Sequence, residues 1–161
     1  MHFPCPCGYH GDPIHPCICS SAQLRRYLDR ISGPILDRID IRITVPRISA
    51  EDLLRSPVGE SSETVRARVE AAREEALRRQ GRANSKLAGR ELRDFCRLDA
   101  RSERFMRQLV NSLSISGRGF DRLLRIARTI ADLEGNNTIC EEHLAEAASY
   151  RSEQRGVHRT A

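Results

Sequence analysis

Four cysteines crowd the first 19 residues as C-x-C-x9-C-x-C, pairing Cys5 with Cys7 and Cys17 with Cys19 in sequence. Two close thiolate pairs suit a tetrahedral zinc ion, and Gly8, directly after Cys7, supplies a tight turn that lets backbone amides face the sulfurs. The commoner knuckle spacing is C-x2-C, so zinc, reduced thiols without metal and a disulfide framework all stay open for this segment. His10 and His15, between the two pairs, are alternative ligands or surface residues. Cys96 and Cys140 stand alone in helical sequence and read as small buried hydrophobes.

Arginine is the second source of chemistry. Of the 27 basic residues only Lys86 is a lysine. A P-loop requires G-x-x-x-x-G-K-[ST], because the ammonium reaches the terminal phosphates, and Lys86 sits instead in Asn84-Ser85-Lys86-Leu87-Ala88. The 161 residues therefore contain no P-loop and no evident means of holding a nucleoside triphosphate tightly. Codon bias and selection for arginine's planar fork explain the excess of arginine equally well. Two arginines stand out by position. In Gly33-Pro34-Ile35-Leu36-Asp37-Arg38-Ile39-Asp40-Ile41 a rigid turn would hold Arg38 at the entry to a strand, with Asp37 and Asp40 flanking it. An ordinary surface salt bridge is the plain alternative. Further on, Arg118, Arg122 and Arg125 fall within about 60° of one another on a helix, opposite its apolar face. Arg118 lies in the first turn, where a cation opposes the helix dipole but suits a phosphate. The plain alternative there is a solvated face, and Arg128 with Asp132 reads as an ordinary i,i+4 pair.

The elements that would position these residues follow from the apolar pattern. Residues 1–20, rich in Cys, Pro, Gly and His, form a loop or hairpin. Ser20 or Ser21 caps a short helix over Ala22 to Ile31, interrupted by Gly33-Pro34. Ile39 to Val45 alternates apolar and polar up to Pro46 and is the one strand predicted, although a lone strand needs a partner. From Ser61 the pattern is helical. A first long helix carries Val65, Val69, Ala72 and Ala76 and closes at Gln80-Gly81. A short one runs near Arg90 to Arg97. Asp99 caps another with Phe105, Met106, Leu109, Val110 and Leu113. The next starts near Ser116-Gly117, lines up Phe120, Leu123, Leu124, Ala127, Ile130 and Ala131, and ends at Gly135. The last, Glu141 to Arg151, buries Leu144, Ala147 and Ala148, and a frayed tail follows. The predicted organisation is 1–47 as the end of a larger α/β unit, 48–60 as a linker, 61–151 as a helical bundle and 152–161 as a tail.

Composition sets outer limits. A net charge of +5, 39% hydrophobic and 30% charged residues describe a mildly basic globular chain. Nothing approaches the roughly 20 consecutive apolar residues of a membrane span, and Met1-His2-Phe3-Pro4-Cys5 does not read as a secretory leader. No membrane partner is expected, and the cytoplasm is the expected location. Seven aromatic residues without tryptophan offer few platforms for stacked bases.

The pieces also occur in a familiar order: Pro4-Cys5-Pro6-Cys7-Gly8-Tyr9; Ile31-Ser32-Gly33-Pro34-Ile35-Leu36-Asp37-Arg38-Ile39-Asp40-Ile41; Ile126-Ala127-Arg128-Thr129-Ile130-Ala131-Asp132-Leu133; and His143-Leu144-Ala145-Glu146-Ala147 with Tyr150-Arg151. From about residue 4 to 151 the chain strongly resembles the C-terminal part of the magnesium-chelatase-related AAA+ ATPases, the YifB/ComM group. The resemblance implies a mainly α chain: the end of an AAA+ α/β core, followed by the helical lid of the magnesium-chelatase C-terminal domain. It implies that Arg38 is an arginine finger reaching a neighbouring subunit's γ-phosphate and that Arg118 is the sensor 2 arginine, reaching its own subunit's nucleotide. ATP and magnesium as cofactors, a hexameric homo-oligomer and a DNA-remodelling role come with the family. Family members place Walker A and B motifs upstream and an asparagine of sensor 1 type where Phe3 stands here. The chain is therefore expected to be a truncated ATPase subunit, silent toward ATP without a Walker-bearing partner. The alternative is a non-enzymatic, zinc-stabilised helical adaptor that joins or inhibits hexamers of an intact relative.

Overall fold

Most helices begin where a short polar side chain takes up an orphan backbone amide. Ser20 Oγ accepts from Gln23 N while the Ser20 amide donates to Gln23 Oε1, a capping box. Ser61, Asp99 and Ser116 accept from Thr64 N, Ser102 N and Gly119 N. The computed structural model describes residues 4–30, 38–45, 47–55 and 59–152. In it α1 spans Ser21–Leu28, α2 Ala50–Arg55, α3 Ser62–Gln80, a 3-10 turn Asn84–Lys86, α4 Gly89–Phe95, α5 Ala100–Ser112, α6 Gly117–Leu133 and α7 Glu141–Ser152. The predicted Gly33-Pro34 turn, Asp37, Phe3 and the tail lie outside the described residues.

α6 is the axis of the bundle. Leu123, Leu124, Ala127, Ile130 and Ala131 are buried along it, as the apolar stripe predicted, with Ile126 beside them. α7 packs Leu144, Ala147 and Ala148 against this face, α5 contributes Met106, and Leu87 and Leu92 close the side next to the 3-10 turn and α4. Each fully buried leucine is worth about 1.5–3 kcal/mol relative to exposure, so these residues hold the bundle. α6 ends with Asn136 N donating to Ala131 O at 2.7 Å and Gly135 in the left-handed region at φ 72°. On α3 only the second half of the predicted stripe is buried: Ala72 and Ala76 pack inward, while Val65 and Val69 run past the bundle and stay exposed.

Two expectations for the first half change. Residues 39–45 pair in no β-ladder, and the one bridge among the described residues joins Leu98 to Ile139. The alternation is present, but a strand needs a neighbour's amides and carbonyls; here the Arg42 amide donates instead to Tyr150 O, 3.1 Å away at the end of α7. The stretch expected as linker contains α2, capped by Ser49, whose Oγ accepts from Asp52 N and donates to Asp52 Oδ2. α1 and α2 contain no buried residue.

Candidate functional site

Arg38 opens the extended segment 38–45. It is exposed, and no described residue binds its guanidinium. The flanking Asp40, expected to steady it, pairs elsewhere: Asp40 Oδ1 lies 2.9 Å from Arg122 Nε on α6. Arg42 fastens the same segment to α7, its Nη2 donating to Arg151 O at 2.8 Å. Ile39, Ile41, Ile43 and Val45 are left exposed.

α6 carries four arginines, and the structure separates them. Arg128 is buried, Arg125 donates to Leu87 O and Asp121 O, and Arg122 holds Asp40. Arg118, in the first turn after the Ser116 cap, is exposed and has no partner among the described residues. The face expected to present three guanidiniums to solvent presents one.

The Arg128 and Asp132 pair, read from sequence as an ordinary surface pair, is the centre of a buried polar network. Arg128 Nε reaches Asp132 Oδ1 at 3.1 Å, while its Nη1 donates to Asn137 O at 2.8 Å and its Nη2 to Asn136 O, closing the turn after α6. Asp132 also accepts from Arg79 of α3 and from Asn84 Nδ2 at 2.7 Å. Burial by itself would raise the Asp132 carboxyl, but the hydrogen bonds from Arg79 and Asn84 and the charges of Arg128 and Arg79 outweigh it and hold it below the ordinary value. Sequence spacing shows Arg128 with Asp132 and cannot show the partners from other elements. His143 forms a smaller lock: Cys140 N donates to its Nδ1 at 3.0 Å, which leaves Nε2 to donate to Glu134 Oε2 at 2.9 Å. Cys96 is buried as expected, which pushes its thiol up to about 11, whereas Cys140 is only half-buried.

The four N-terminal cysteines do come together. Their sulfurs all lie within 4.8 Å of one another, with Cys5 to Cys7 at 3.3 Å, Cys7 to Cys17 at 3.6 Å and Cys5 to Cys17 at 3.7 Å. No disulfide joins them. Four thiolates around a tetrahedral zinc with bonds of about 2.3 Å would stand about 3.8 Å apart, so these spacings fit the ion's donor set. His10 and His15 are not in the cluster: the His10 amide donates to Cys5 Sγ at 3.3 Å, and the His15 ring meets Tyr9 edge to face. Gly8, at φ 85°, makes the turn. The Tyr9 amide lowers the Cys7 thiol to about 6, while burial pushes Cys19 up to about 12. Asp12 braces the loop between the pairs, accepting from Ile14 N and His15 N at 2.8 Å each and meeting Arg47 Nη1 at 3.3 Å. No helix among the described residues is long and apolar enough to cross a membrane.

Two segments of the chain match known families. Residues 59–151 match the family described as magnesium chelatase, subunit ChlI C-terminal, and residues 2–53 match magnesium chelatase, subunit ChlI. The chain is 41% identical over 151 residues to the uncharacterized protein YifB of Escherichia coli, covering 92% of this chain and 29% of that protein. It is 40% identical over 134 residues to the competence protein ComM of Haemophilus influenzae, covering 83% of this chain and 26% of that protein. An uncharacterized protein of Mycobacterium tuberculosis is 39% identical over 160 residues, with 97% and 31% covered. The chain thus spans less than a third of the length of these relatives.

Proposed function

Because the chain belongs to the magnesium chelatase ChlI C-terminal family, we propose that it works as the lid and arginine-finger portion of an oligomeric, ATP-driven AAA+ assembly in the cytoplasm. In this reading Arg38 reaches a phosphate held by a neighbouring subunit, and Arg118 reaches the nucleotide of its own. The observation that carries it is the selectivity among arginines. On α6, Arg122, Arg125 and Arg128 are all engaged, and the one that matches the sensor position is left free at a helix start. A free cation beside the positive end of a helix is unfavourable for folding and suited to a phosphate.

The chain's own residues supply guanidiniums and no phosphate cradle, since no G-x-x-x-x-G-K-[ST] occurs in them. Their chemistry is charge neutralisation: a guanidinium brought to the oxygens of a transferring phosphoryl group stabilises the charge developing there. ATP and magnesium would be held by residues outside the 161 present, and magnesium would supply positive charge that offsets that of the phosphates. The exposed row Ile39, Ile41, Ile43 and Val45 supports the same reading, because a buried core strand presents such an uncovered apolar row once separated from the layers that pack on it. The cysteine cluster holds zinc in this reading and orders its own loop, which meets Arg47 through Asp12. A part in DNA processing is the reading that the likeness to a competence protein favours.

The test is ATP turnover by the purified chain, alone and mixed with a relative carrying Walker A and B motifs. The expected result is no turnover alone and a changed rate in the mixture, which Arg38→Ala abolishes by a factor of about 10³, the lower end for arginine fingers. Turnover proportional to this chain alone would overturn the reading.

A further inference from the structure

We propose that Asp40 and Arg122 are positioning residues: their ion pair fastens the segment that carries Arg38 to the helix that carries Arg118, so that the finger offered to one nucleotide is set by the lid over another. The inference rests on the roles proposed above for those two arginines.

Contacts that join the segment to the bundle converge on the same place. Asp40 Oδ1 meets Arg122 Nε at 2.9 Å, the Arg42 amide donates to Tyr150 O at 3.1 Å, and Arg42 Nη2 donates to Arg151 O at 2.8 Å. Asp40 lies two residues after Arg38, and Arg122 lies one helical turn after Arg118. The far side of the circuit also closes near Arg118: Arg151 Nη2 stands 3.2 Å from where a Cβ on Gly119 would be. Asp40 and Arg42 are separated by one residue, the spacing that brings two side chains of an extended chain to one side. The segment is thus held to the lid by polar groups, while its isoleucines remain exposed.

Among the described residues Arg122 is also the one arginine of α6 whose charged partner lies before residue 50. Its side chain is only 21% exposed and its Nη1 is sealed from solvent, and among the described residues Asp40 is the carboxylate that holds the guanidinium in this pose. Stability does not account for the pair. Asp40 is 62% exposed, and a partly exposed pair contributes little to folding. Placement is a different matter, because a catalytic group displaced by about 1 Å can lose about 10²-fold in rate.

The experiment compares chain-dependent ATP turnover in mixtures with a Walker-bearing relative for the wild-type chain, Arg38→Ala, Asp40→Asn, Arg122→Gln, the two neutral substitutions combined, and the exchange Asp40→Arg with Arg122→Asp. Each neutral substitution is expected to lower the chain-dependent kcat by about 10- to 100-fold with the KM for ATP unchanged. The combined variant should be no worse than either alone, and the exchange should restore most of the rate. Thermal melting of the helical bundle should be the same for all. The proposal is overturned if Arg38→Ala abolishes the effect while Asp40→Asn and Arg122→Gln keep wild-type kcat, or if the losses add and the exchange restores nothing. If Arg38→Ala itself changes nothing, the finger reading fails and takes this proposal with it.

Discussion

Arg79 of α3 grips Asp132 of α6 with both terminal nitrogens, Nη1 at 2.6 Å from Oδ1 and Nη2 at 2.9 Å from Oδ2, across 53 residues of sequence. With Arg128 and Asn84 on the same carboxylate, the charge has no access to water and depends wholly on these donors. Removing one member of such a buried network leaves the others uncompensated, typically at about 3–5 kcal/mol. Asp132→Asn is therefore expected to cut stability by that amount in urea unfolding. Arg90→Ala, which removes a pair that is 91% and 48% exposed, should change it by no more than about 0.5 kcal/mol.

The same carboxylate gives the bundle a defined acid limit. Asp132 lies below its ordinary value near 3.8 in the folded chain, so the unfolded chain takes up the proton first as pH falls. Its contribution is complete above about pH 5 and is lost as pH drops through the depressed folded value. Asp99, lowered by the Ser102 amide at the start of α5, adds to the same slope. Urea midpoints measured from pH 7 down to pH 2 should stay level to about pH 5 and then fall. In Asp132→Asn the fall should be shallower and should not vanish.

The helices were legible because their signals are local. Ser61, Asp99 and Ser116 cap where the pattern places them, and Gly81 and Gly135 take positive φ at the ends. α2 was missed: Ser49 and Asp52 have capping spacing, but the polar stretch around them reads as a linker. What sequence could not give was partnership over distance. Arg128 with Asp132 looks like a surface pair until Arg79 and Asn84 arrive from other elements, and Arg122 looks solvated until Asp40 arrives. Ile39 to Val45 has the alternation of a strand but forms no ladder, because no second strand among the described residues meets those amides.

Two glycines on α6 make a matched pair. A Cβ on Gly119 would stand 2.8 Å from Ile115 Cγ2, 3.2 Å from Arg151 Nη2 and 3.3 Å from Ser116 Oγ, and the stiff isoleucine branch cannot swing aside cheaply. The same change at Gly117 meets nothing within 4 Å. Helix propensity favours alanine at both sites, by up to about 1 kcal/mol in a helix interior and less in the first turn. Overpacking of about 1–3 kcal/mol should win at Gly119 alone. Gly119→Ala is thus expected to lower the melting temperature and Gly117→Ala to leave it level or raise it slightly; equal shifts would refute the contact argument.

The cysteine cluster is tied to the rest of the molecule by few bonds, such as that from Arg47 to Asp12, so its state can be changed without unfolding the bundle. If zinc orders it, chain purified without chelator carries a single tightly held zinc ion, and its four N-terminal thiols react slowly with a disulfide reagent. A strong chelator should then remove the metal and expose the thiols while the far-ultraviolet circular dichroism of the bundle stays almost unchanged, because α3 to α7 draw their core from Leu87, Leu123, Leu144 and their neighbours. Cys5→Ser should lose the metal more severely than Cys17→Ser, since Cys5 is fully buried and also receives the His10 amide. Thiol reactivity that is fast from the outset, with no metal found, would leave the cluster as four reduced cysteines. The cysteine loop would then have to be ordered by contacts such as those of Asp12 with the Ile14 and His15 amides.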